Sequence, residues 1–121
     1  MKIWRSYGSG HSARLSVVGE FTAAEDAALI SRAVEDFVNG QWMERYPDVR
    51  GFIDDWSERL PGVEGVGLKQ SDFEMGLDNA CAVRKSGTRV EVSGIRSTEV
   101  GGIIKLMLLK EPAEVKVTGS M

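Results

Sequence analysis

The feature that most constrains this chain is a change of hydrophobic period within its last third. Val90 and Val92 alternate with Arg89, Glu91 and Ser93, the two-residue period of a half-buried strand. Val100, Ile103, Ile104, Met107 and Leu108 then fall at i, i+3, i+4, i+7 and i+8, one face of a helix. Alternation returns over Ala113–Thr118, with Val115 and Val117 on one side. Before these, Ala80–Lys85 is a short run with β-branched content, and Ser86-Gly87-Thr88 supplies hairpin turn chemistry. The stretch Cys81–Thr118 therefore reads strand, strand, helix, strand. Ser97 or Thr98 can cap the helix, Glu99 suits its first turn and Lys110 its last, and Pro112 stops it.

The first third supplies the remaining pair. Arg14–Phe21 is a strand with Leu15, Val17 and Val18 as its apolar content. Thr22-Ala-Ala-Glu25 matches a capping box, and a helix from Ala23 to about Val38 buries Ala27, Ile30, Ala33, Val34, Phe37 and Val38. The order β-α-β-β-α-β predicts an α+β, ferredoxin-like plait, with two helices on one face of a four-stranded antiparallel sheet. Lys2–Tyr7 extends or flanks that sheet.

Residues 41–79 become a partly helical insertion. Asp48 can cap a helix to Leu60, with Val49, Phe52, Ile53, Trp56 and Leu60 at helical spacing and Pro61-Gly62 closing it. Val63–Gln70 is Gly-rich and irregular. Ser71–Asn79 fits both periods, and the alternation of Phe73, Met75 and Leu77 favours a strand. The sheet face away from the helices must then be covered by the insertion, by a partner or by polar side chains. Arg14, Ser16, Arg89, Glu91, Lys116 and Thr118 suggest a partly polar face.

At 121 residues the chain, 1–121, is expected to be one domain. Net charge is −3, which argues against a nucleic-acid footprint while leaving room for a local basic patch. One cysteine, Cys81, excludes an internal disulfide and reads as a small buried hydrophobe. No apolar run approaches membrane-spanning length, and the opening residues are no signal peptide, so a soluble cytoplasmic protein is expected. There are no repeats and no low-complexity tract. No cofactor is indicated, and a single histidine makes a transition-metal site improbable.

One constellation carries chemistry. In this topology the loop Gly8–Ser12 and the turn Gly94–Glu99 meet at one edge of the sheet, with Asp78 and Asn79 beside them. A Gly/Ser/His loop, an arginine and a helix N-terminus then converge, which suits a small anion. Tyr7, Ser9, His11, Ser12, Arg96 and Ser97 would line this ligand site, and Gly101-Gly102 leaves room for close approach. His11 is the candidate catalytic residue, a general base acting on a substrate held by Arg96. A plainer reading carries the greater weight: Ser97 and Thr98 are caps, the glycines are turn residues, His11 is a structural or surface histidine, and Arg96 pairs with Glu99 or another carboxylate.

Other signals are weaker. Gly8-Ser9-Gly10 is neither a P-loop nor a dinucleotide fingerprint. Asp54-Asp55 resembles a metal pair, but adjacent helical residues diverge by about 100°. Of the three tryptophans, Trp56 fits a core stripe, whereas Trp42, followed by Met43 and Tyr46, is the better candidate for exposed contact.

Lys2-Ile3-Trp4, Tyr7-Gly8-Ser9, His11-Ser12 and Gly94-Ile95-Arg96-Ser97 together resemble a family of small bacterial domains of unassigned function. The resemblance covers most of the chain, implies a bacterial cytoplasmic setting and brings no catalytic residues with it. The expected function is a small non-enzymatic interaction or regulatory module with a protein partner or homodimer. An immunity or antitoxin-type protein, or an accessory subunit of a defence system, would fit. The alternative is an anion- or nucleotide-ligand-binding domain, with catalysis a further step, using the edge that holds Arg96.

Overall fold

The computed structural model describes residues 2–6, 14–41, 43–73 and 81–120, the side chains of 2–6, Ser97 and Ser120 excepted. Its sheet contains β1 (Lys2–Ser6), β2 (Arg14–Glu20), β3 (Ala82–Ser86), β4 (Arg89–Ile95) and β5 (Glu114–Ser120). Their spatial order is β1-β5-β2-β4-β3. The last four are antiparallel neighbours, and β1 joins β5 in parallel. With α1 (Ala24–Asn39) and α4 (Ser97–Leu108), the central elements run β-α-β-β-α-β, the connectivity of a ferredoxin-like plait.

Alternation in the strands decides which side holds the core. Leu15, Val17, Val90, Val92, Ile95, Val115 and Val117 are buried, and their strand neighbours are half-buried or exposed. The buried set faces α1 and α4, whose stripes, Ala27 through Val38 and Val100 through Met107, are those the 3.6-residue period requires. Gly87, at φ 61°, turns the β3–β4 hairpin. A bulge lies between the Leu15–Ile95 and Val17–Val92 pairs, and Gly94, at φ 75°, takes up the extra residue.

The insertion carries α2 (Val49–Trp56), a 3₁₀ turn (Val63–Val66) and α3 (Gln70–Phe73). It packs on the helices rather than over the open sheet face. Phe37 of α1 meets Phe52 and Phe73 edge to face, at centroid distances of 5.3 and 5.5 Å. Asp48 caps α2 as its sequence position predicts, accepting from Gly51 N at 2.9 Å.

Several expectations are corrected. Ser71–Phe73 is helical, not extended; residues 74–79 lie outside the described residues. Asp72 accepts from the Lys69 amide at 2.9 Å, which starts a helical turn, and Phe73 is drawn into the aromatic cluster. The Thr22–Glu25 capping box does not form: α1 begins one residue later, Ala23 occupies the cap without a side-chain bond, and Thr22 is exposed. Arg96, not Ser97 or Thr98, holds the α4 cap position. Of the expected contact patch, Trp42 lies outside the described residues and Met43 is exposed, but Tyr46 is buried, because Asp55 takes its hydroxyl proton inside the fold.

Candidate functional site

The pairing of β2 with β4 sets the neighbourhood of the anticipated edge. Leu15 is opposite Ile95, so the residue before Arg96 lies beside the entry to β2. Tyr7, Ser9, His11 and Ser12 lie outside the described residues, as do Asp78 and Asn79, and so does the Ser97 side chain. The structure thus places Arg96, half-buried at the cap position of α4, and leaves its expected companions undescribed.

What it does place there is Glu99. This side chain is 3 % exposed, and its Oε2 accepts from the Arg96 amide at 3.4 Å. A carboxylate of the chain itself thereby occupies the positive end of the α4 dipole. Of Gly101 and Gly102, only the second answers to packing. A Cβ at Gly102 would lie 2.8 Å from Phe37 Cζ and 3.0 Å from Asp72 Cβ. The space at this turn is filled by α1 and α3.

A second polar cluster, unforeseen from the sequence, joins α1 to the insertion. Asp36 Oδ2 accepts from Trp56 Nε1 at 3.0 Å and lies 3.3 Å from the Tyr46 oxygen, and its Oδ1 pairs with Arg45. The Tyr46 hydroxyl donates its one proton to Asp55 Oδ2 at 2.5 Å, and Arg59 donates to the same oxygen at 3.0 Å. Burial, the bond to Asp55 and the charges of Asp36 and Asp55 push the Tyr46 phenol well above the ordinary tyrosine value. These groups hold the insertion on α1. Asp54 pairs instead with Arg50, so the adjacent carboxylates serve different partners. Among the described residues no group of three or more metal-ligating side chains could hold an ion.

The third region is the open sheet face. Cross-strand pairing puts Ser86, Arg89, Glu20 and Glu114 in one row, and Arg84, Glu91, Val18 and Lys116 in the next. Arg84, Ser86, Arg89 and Glu91 line a shallow depression of about 270 Å³. Arg89 Nε lies 3.6 Å from Glu20 Oε1. The individual residues Arg89, Glu91, Lys116 and Thr118 were legible as a polar face; Arg84 and Ser86 were missed, although β3 alternation opposite Glu91 and Arg89 would have found them.

No helix among the described residues is long and apolar enough to cross a membrane. No curated protein and no solved structure is significantly similar to the chain. The model of a family described as of unknown function, DUF6375, matches residues 1–120, and the chain belongs to that family.

Proposed function

We propose that this protein is a non-enzymatic interaction module that works through its open sheet face and the adjoining edge. The observation that carries the reading is the one-sidedness of the fold. Among the described residues the buried strand side chains share the face that packs on the helices, the insertion packs on that same side, and the opposite face presents charges of both signs in cross-strand rows. Charged, patterned surfaces of this kind orient and select protein partners more than they stabilise a fold. An immunity, antitoxin-type or defence-accessory role suits the size and charge of the chain. Light scattering on the purified protein and cross-linking in the native host test the proposal. A homodimer, or a host complex cross-linked through Lys85 or Lys116, is expected. A strict monomer that cross-links to nothing in its host overturns it.

A second reading is an anion site at the β2 entry. What supports it is the Leu15–Ile95 pairing, which brings that entry beside Arg96. Glu99 already accepts from the Arg96 amide, so an incoming anion would compete with that carboxylate's charge at this end of α4. Phosphate, sulfate or a nucleotide should then raise the melting temperature, and Arg96→Ala should abolish the rise. A shift that survives Arg96→Ala, or no shift at all, ends this reading.

A further inference from the structure

Although the chain carries net charge −3, its strand β3 holds two cations, Arg84 and Lys85, and no carboxylate. Arg84 and Lys85 on β3 and Arg89 on β4 are all exposed. Arg84 pairs across strands with Glu91, and Ser86 with Arg89, so these four residues share the face that holds the depression. β3 is also the edge of the sheet. Its inner side bonds to β4, and among the described residues no strand pairs with its outer side. An edge of this kind offers a row of backbone donors and acceptors on which a further strand can build.

The charges decide what can be added. A second copy of β3, laid antiparallel in the centred register, would set Arg84 against Arg84, and like charges directly opposite are destabilising. Arg84 and Lys85 favour a segment of opposite sign, with Arg89 beside them outweighing the single carboxylate, Glu91, that lines the depression. The Arg89–Glu20 contact is long and lies between exposed groups, so it competes weakly for the guanidinium. A nucleic acid is the rival polyanion. Its phosphates accept hydrogen bonds and donate none, so they leave the edge carbonyls unmatched, and the net negative charge of the protein opposes it. An extended polypeptide supplies both backbone donors and backbone acceptors.

We propose that the outer edge of β3 docks an acidic, extended polypeptide segment by strand addition, with a carboxylate seated in the depression lined by Arg84 and Arg89. The proposal rests on the reading of the protein as an interaction module and names the chemistry of its partner.

The test uses the full chain and a short, blocked, fluorescently labelled peptide alternating glutamate with valine, followed by anisotropy and by amide NMR shifts. Saturable binding with shifts concentrated at Ala82–Ser86 is expected, weakening with salt. Replacing both arginines, as Arg84→Glu with Arg89→Glu, should weaken binding about tenfold or more. Arg84→Ala with Arg89→Ala provides a second variant in which Glu20 faces no added negative charge, and it should weaken binding in the same direction. A lysine-for-glutamate peptide and a peptide N-methylated at alternate residues should both fail to bind. The inference is overturned if the arginine replacements leave binding unchanged, if the N-methylated peptide binds equally well, or if oligothymidylate binds this edge more tightly than the peptide does. It is also overturned, by itself, if the peptide does not bind while host cross-links map to another surface; a partnerless monomer overturns the parent reading instead.

Discussion

Trp56 Nε1 donates to Asp36 Oδ2 at 3.0 Å, tying the end of α2 to the last turns of α1. The bond spans 20 residues of sequence and joins a ring that is 1 % exposed to a partly shielded carboxylate. Asp36→Ala would leave the buried indole N–H without its acceptor and release Arg45. A loss of about 2–3 kcal/mol in urea unfolding is expected, since a buried donor left unmatched costs its desolvation. Trp56→Phe removes donor and need together while keeping an aromatic ring, and should cost less than Asp36→Ala.

Tyr46 makes a pH prediction whose sign follows from its neighbours. Its folded-state phenol holds the proton above the ordinary tyrosine range, for reasons of burial first and the bond to Asp55 second. The folded form thus keeps a proton that the unfolded chain releases near pH 10. The stabilisation is complete below about pH 10 and is lost as pH climbs beyond it toward the folded value. Unfolding measured at about pH 8 and about pH 11 should show a larger fall in stability for the wild type than for Tyr46→Phe, which has no such proton.

Gly101 and Gly102 are neighbours in sequence with opposite expectations. At Gly101 an added Cβ would sit 3.6 Å from Asp72 Oδ1, an ordinary contact, and the residue is exposed. Gly101→Ala should stabilise by up to about 1 kcal/mol through helix propensity. At Gly102 the Cβ would press on Phe37 and on Asp72 Cβ. Gly102→Ala should destabilise by about 1–3 kcal/mol, because overpacking outweighs propensity there. Thermal unfolding of the two single variants decides the matter by sign.

Glu99 caps its own helix from a nearly closed position. Glu99→Ala should cost about 1–2 kcal/mol. Glu99→Gln keeps an oxygen for the Arg96 amide and should recover part of that loss. Equal losses in denaturant titrations of the two variants would show that the charge, not the bond, carries the effect.

The periodic segments were legible because period is a local property. The stripes from Ala27 to Val38 and from Val100 to Met107, and the alternation around Val90, Val92, Val115 and Val117, each follow from which side faces a neighbour. Given the strand order, the proximity of the β2 entry to Arg96 followed as well. Local chemistry that depends on distant partners was not legible. Phe73 belongs to a helix because Phe37 and Phe52 wait for it, and short runs fit either period until that packing is known. The Asp36–Tyr46–Trp56 network joins residues on separate segments, and no spacing announces it. The cap position at Arg96 escaped because Ser97 and Thr98 carry the hydroxyls usual at a cap, whereas here the carboxylate of Glu99 accepts from the amide of the cap residue.

The parallel pairing of β1 with β5 carries a consequence for how the molecule is made. Lys2 aligns with Glu114 and Ser6 with Thr118, so β1 must wait for a strand made more than a hundred residues later before their ladder can close. Such a distant closure comes at a high entropic toll and favours a late step in assembly. Until translation reaches β5, β1 lacks the strand it pairs with among the described residues, and a nascent chain halted before Glu114 would hold that ladder open.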